Sequence, residues 1–367
     1  MTPNDRNDRA WVATRKGLFE LRRRGRDWDI ERPSFLGDPV SMVLPPRADG
    51  PHAGRMLAAL NLGHFGVKMH RSADSGKTWG EIASPEYPPQ PEGSTDKTPW
   101  KLVQLWALES DGKRLWAGTI PGGLFTSEDR GKSWSLVRSL WDRPERAEWG
   151  GGGYDHPGIH SIAIDPKDPK RITVAVSTGG AWQTRDAGKS WAICAQGMYA
   201  EYMPPEKKFD QNSQDIHRLV LCAGRPDFMW AQHHNGVFRS TDGAKSWQDV
   251  AAIQPAKFGF AVAVHPKDPD TAWFVPAVKD ECRVPVDAKL VVARTRDGGK
   301  SFVVRRKGLP QEHAYDLVYR HCLDVDRTGK RVAFGSTTGG LWLSEEQGDS
   351  WRCLSTQLPP IHCVRFG

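Results

Sequence analysis

The chain has 367 residues, with 51 Lys plus Arg against 44 Asp plus Glu, a formal charge of +7 and a pI near 9.1. So small a surplus over this length argues against a dedicated nucleic-acid surface, and no apolar stretch is long enough to read as a membrane span. Six Cys with no C-x-x-C pair read as reduced thiols, so a cytoplasmic location is expected.

Residues 1–9 are polar and read as a disordered tail with no basic-then-apolar leader; residues 10–367 read as one domain. Trp11-Val-Ala-Thr14, Gly17-Leu-Phe19 and Trp28-Asp-Ile30 follow as strands. The one dense basic run, Arg22–Arg24 with Arg26, falls on this hairpin and reads as a solvated surface. A cassette then recurs six times: Ser or Thr, an acid two residues on, a small residue two further, then Ser or Thr and an aromatic. It begins at Ser72, Ser127, Thr184, Ser240, Thr295 and Ser344, and ends at Trp79, Trp134, Trp191, Trp247, Phe302 and Trp351. A worn seventh copy keeps Gly25 and Trp28. The aromatics are spaced by 51, 55, 57, 56, 55 and 49 residues, the period of a repeated supersecondary unit.

Each unit supplies four strands. After Trp134 they are His160–Asp165, Ile172–Ser177, Ala181–Thr184 and a last one from Ser190, punctuated by Asp-Pro-Lys-Asp-Pro and Gly-Gly. The N-terminal strands lack an innermost partner, and Ile361–Arg365 at the other end is an innermost strand without followers. Joining the ends completes a seventh unit and removes two exposed edges. The fold expected is all-β: a single seven-bladed β-propeller of four-stranded antiparallel blades, closed by the C-terminal strand on the N-terminal ones.

In each cassette the acid sits where its carboxylate can accept hydrogen bonds from its own turn, and the aromatic is large enough to anchor the hairpin by burial. Six identical acids on six turns cannot converge on one substrate, so they read as staples. The pattern resembles the Asp-box, or BNR, repeat of sialidases, sortilin-type domains, xyloglucan-active glycosidases and Ycf48-like photosystem assembly factors. The resemblance covers essentially the whole chain and implies the propeller fold, while those families share the box and not the chemistry. Sialidases use a six-bladed ring and an early Phe-Arg-Ile-Pro. With seven units and no such motif, the chain is not expected to be a true sialidase.

Loops leading into the innermost strands share a face with those linking second to third strands, and here the former are long: 83–99, 140–158, 196–215 and 307–319. Aligning the innermost strands puts His160, His217, His321 and His362 at one level near the axis, with Phe260 and residues near Gln104 and Ser41 in the other blades. Converging imidazoles suit a divalent Zn, Fe, Cu or Mn; singly, each would instead bond a backbone carbonyl or water. No organic cofactor is indicated. His234 is a candidate further ligand or proton shuttle, Tyr154 a pocket wall with Tyr199 and Tyr202, and Asp155 and Asp316 candidate acid and base. Cys282, on an inserted loop over 279–287, is a weaker candidate nucleophile. The leading expectation is a metal-assisted hydrolase, lyase or oxygenase acting on a small molecule at the channel mouth. The alternatives are a glycosidase with paired carboxylates and a scaffold that binds a protein partner.

Overall fold

The computed structural model describes residues 8–31, 33–46 and 54–367. Its strands form seven four-stranded antiparallel sheets arranged as the blades of a ring. Named by innermost strand, these are blade 1 (Val40–Leu44), blade 2 (Gln104–Ser110), blade 3 (Ile159–Ile164), blade 4 (Ile216–Leu221), blade 5 (Gly259–Val264), blade 6 (Leu323–Val325) and blade 7 (Ile361–Phe366). Blade 7 joins the two ends of the chain. Ile361–Phe366 pairs antiparallel with Arg9–Thr14, Val12 facing Val364 and Ala13 facing Cys363. The expected closure is therefore correct.

The first seven residues of the expected tail lie outside the described residues. Its last two do not behave as a tail. Arg9 opens a strand, and its guanidinium donates to Glu20 at 2.6 Å, while Asp8 lies 3.2 Å from Arg331. Ion pairing to two blades holds them in the fold, where the sequence showed only polarity.

The blades pack through aromatics at the strand centres. Trp116, Trp182, Trp230 and Trp273 are fully buried, each in the second or third strand of a blade. Innermost strands are apolar on both faces because each blade is flanked by two neighbours, as the all-buried Gly259–Val264 shows. Among the described residues helix is confined to short turns in loops, such as Arg138–Trp141 and Pro205–Lys207. No helix among the described residues is long and apolar enough to cross a membrane.

The cassettes sit between third and fourth strands and act as turns. Ser127 Oγ donates to Asp129 Oδ1 and accepts from the Gly131 amide; Asp129 in turn accepts from the Ser133 amide at 2.9 Å and its hydroxyl at 2.6 Å. Two consecutive residues adopt left-handed backbone, Arg130 at φ 69° and Gly131 at φ 83°. Two of the terminal indoles bond to the preceding blade: Trp134 Nε1 donates to the Ala83 carbonyl and Trp247 Nε1 to that of Cys194. These cassettes are both turn and latch.

These bonds hold the Asp129 carboxyl at a pKa of about 2, chiefly through the Ser133 hydroxyl and amide, and that of Asp297 at about 2, chiefly through Ser301. A carboxyl with its folded pKa depressed contributes stability above its unfolded pKa of about 3.9 and loses it as pH falls toward the folded value. Urea midpoints are therefore expected to fall steeply between about pH 4 and pH 2. The fall should be shallower in an Asp129→Asn, Asp297→Asn variant, whose amides do not titrate. Parallel profiles would show that the cassettes carry no acid sensitivity.

Candidate active site at the channel mouth

Both kinds of loop converge on one cavity of about 940 Å³. Arg15 and Phe65 reach it from loops linking second to third strands, Asn61 from the end of the second strand of blade 1, and Arg283 from the 279–287 insertion. Asp38, Gly152, Gly153 and Tyr154 come from loops leading into innermost strands, as do Tyr319, Arg320 and His321. Gln104, Trp106, Phe260 and His362 project from the innermost strands themselves.

The cavity is cationic. Arg15, Arg283 and Arg320 line it, against Asp38 as the sole carboxylate among its described lining residues. Arg283 is engaged by Asp280. Arg320 is different: it is 5% exposed, and its Nε and Nη2 are buried with no hydrogen-bond partner. Its guanidinium lies 4.8 Å from the Trp106 ring and 5.2 Å from Phe260. Aromatic faces can hold a cation there, but they do not replace the hydrogen bonds it gives up on leaving water.

The four histidines expected near the axis are all buried or half-buried, in three different settings. His362 and His321 line the cavity, His362 with its Nδ1 on the Val40 carbonyl at 3.0 Å. His321 has no hydrogen-bond partner at either ring nitrogen, and burial keeps it neutral, with Arg218 the next cause. His160 lies behind the cavity, edge-on to Trp106, with Nδ1 at 2.9 Å from Ser161 Oγ; burial, then Arg320, lowers its pKa far below the usual value.

His217 belongs instead to a tight group with Asp215 and His234, whose ligand atoms all lie within 4.8 Å of one another. Asp215 Oδ2 is 3.6 Å from His217 Nε2 and 3.4 Å from His234 Nδ1. The far side of the His217 ring is fixed, with Nδ1 at 2.6 Å from the Gly259 carbonyl and its face stacked on Phe260 at 4.4 Å. Burial lowers the His217 pKa, whereas the hydrogen bond to Asp215 raises that of the more exposed His234. Gly152, at φ 53°, closes the cavity wall beside this group: a Cβ there would stand 3.1 Å from Asp215 Oδ1.

Of the other expected site residues, Tyr154, the expected pocket wall, lines the cavity, its ring 4.9 Å from Trp106. Asp155 is exposed and not part of the lining. Asp316 accepts from the Ser336 and Thr338 hydroxyls and so braces a loop of blade 6. Cys282 is exposed on the insertion; the residue that insertion delivers to the cavity is Arg283. Sequence reading passed over Arg320 and Asp215 as site residues. Asp215 stands two positions before His217 and Arg320 one before His321, where the chain enters an innermost strand.

No family model matches the chain. A probable oligoxyloglucan-reducing end-specific xyloglucanase of Neosartorya fischeri is 26% identical over 282 residues, covering 69% of this chain and 32% of that protein. The chain thus spans about a third of the length of this curated relative. Among solved structures, an ancestral GH74 enzyme matches with TM-score 0.57 and 16% identity over 91% of this chain and 37% of its own. Ycf48 bound to D1 peptide matches with TM-score 0.55 and 14% identity over 93% and 90%. The likeness is one of fold.

Proposed function

We propose that this propeller is an enzyme of the hydrolase or lyase kind acting on a small anionic molecule in the channel-mouth cavity. One observation carries the reading: the buried Arg320 guanidinium, whose Nε and Nη2 have no hydrogen-bond partner, in a cavity whose charge is otherwise mainly cationic. An anionic group on the ligand would give that guanidinium the charge-assisted hydrogen bonds it lacks, with Arg283 and Arg15 adding long-range attraction. Trp106, Phe260 and Tyr154 supply the apolar walls of a small-molecule site. The Asp215–His217–His234 group behind Gly152 supplies the reactive polar groups. Six free cysteines fit a cytoplasmic setting.

The glycosidase alternative has less support, because that chemistry takes two carboxylates across the substrate and Asp38 is alone among the described lining residues. A scaffold role rests on the Ycf48 likeness, which speaks for fold alone.

The test is calorimetric titration with inorganic phosphate and with malonate. Binding to the wild type should weaken by about 10- to 100-fold in Arg320→Gln, the equivalent of one charged hydrogen-bond group. If neither anion binds, or the variant binds equally well, the reading fails.

A further inference from the structure

We infer that Asp215, His217 and His234 form a three-ligand site for a divalent metal ion, zinc by preference, with one coordination position left free, set behind Gly152 of the cavity wall. The metal ligands expected from the strand alignment were His160, His217, His321 and His362; only His217 enters the group now proposed.

Protonation logic comes first. The contact of His217 Nδ1 with the Gly259 carbonyl at 2.6 Å requires a proton on Nδ1. In the neutral ring Nε2 is then a bare lone pair, and it faces a carboxylate oxygen at 3.6 Å. Two lone pairs set against each other in a buried place need a positive charge between them. Asp215 compounds the deficit: its Oδ1 is buried with no hydrogen-bond partner, a costly state for an ionised group.

Donor type and spacing together suit zinc. Zinc takes nitrogen and carboxylate ligands at about 2.0–2.1 Å in a tetrahedron, whose edges are therefore about 3.3–3.4 Å. The 3.4 and 3.6 Å separations around Asp215 Oδ2 are close to that length, and all three ligand atoms lie within 4.8 Å of one another, while two imidazoles favour zinc over the oxygen-seeking magnesium and calcium. The Nδ1–carbonyl bond of His217 is also the outer contact by which metal-bound histidines are oriented. Two His and one carboxylate leave one tetrahedral position free, the arrangement of catalytic rather than structural sites. On that position a zinc-bound water would have its pKa brought to about 7. The absence of a Cβ at Gly152 keeps the wall thin between this point and the cavity.

The experiment uses the 367-residue chain purified without an affinity metal, stripped with dipicolinate and reloaded with one equivalent of zinc or cobalt. One equivalent of zinc should remain after dialysis, the cobalt form should show the intense visible bands of tetrahedral nitrogen–oxygen coordination, and zinc should raise the melting temperature. His234→Gln, at a partly exposed position, should keep the fold by circular dichroism. It should lose affinity by more than the 10- to 100-fold, roughly, that follows from disturbing an outer contact. Asp215→Asn should do the same, and if it fails to fold, His234→Gln decides. His321→Gln and His362→Gln should keep the metal. No retained zinc in the wild type, full retention in His234→Gln, or loss on changing His321 or His362 would each overturn the assignment. The readout is metal, so it stands or falls separately from anion binding at Arg320.

Discussion

A chain ended at Pro360 is expected to lose its cooperative fold. The missing strand is the innermost one of blade 7, laid against Arg9–Thr14. It buries Ile361, Cys363, Val364 and Phe366 at 8% exposure or less. Full burial of Ile, Val and Phe is worth about 1.5–3 kcal/mol each, so three of them approach the whole net stability of a typical domain, about 5–15 kcal/mol. The cut would also leave the backbone of Arg9–Thr14 as an open edge facing the channel. Calorimetry should find no sharp transition in the truncated protein, and a synthetic peptide of residues 361–367 added in trans should restore part of it. A truncated monomer melting near the wild-type temperature would mean that closure adds little.

The architecture was readable because its signals are local and repeated. Each cassette specifies its own turn through contacts within a few residues, as Ser127, Asp129, Gly131 and Ser133 show. Six copies fix the register of everything between them. Blade 7 was readable for a different reason, since unmatched strands at the two ends must find each other to hide their edges.

The site was only half readable, because its contacts cross blades. Alignment of the innermost strands identified which histidines stand near the axis, but a strand end has two faces and neighbours from other blades. His217 turns to Gly259 of blade 5 and to Asp215, while His362 turns to Val40 of blade 1. Nothing in the spacing of either residue encodes that choice. Arg320 escaped notice because an Arg in a loop ordinarily reads as surface; its burial depends on Trp106 and Phe260, which come from two other blades. Asp316 misled in the opposite sense, since a loop carboxylate near the mouth is also what a hydroxyl-lined turn such as Ser336–Thr338 recruits.

The seam between blades should be as sensitive as the seam that closes the ring. Gly118 lies in the second strand of blade 2, in a backbone conformation open to any residue, so it is there for space. A Cβ at Gly118 would stand 2.3 Å from the Ile159 carbonyl oxygen and 2.8 Å from Ile159 Cγ2, in the innermost strand of blade 3. A carbonyl in a paired strand cannot swing aside as a side-chain tip does, and Ile159 is held by its pairing with Val176. Nor can the two blades simply part, because in a closed ring any widening at one seam compresses or opens the others. Gly118→Ala is therefore expected to cost about 3 kcal/mol, the upper part of the overpacking range, and Gly118→Val to prevent folding. Gly80→Ala is the matched control, since a Cβ there meets nothing within 4 Å, and it should stay within about 0.5 kcal/mol of wild type. Denaturant titration of the three variants decides it. Should Gly118→Ala match Gly80→Ala, the blades must slide past one another freely, and the rigid placement of Trp106, Phe260 and Arg320 around the cavity would lose its mechanical basis.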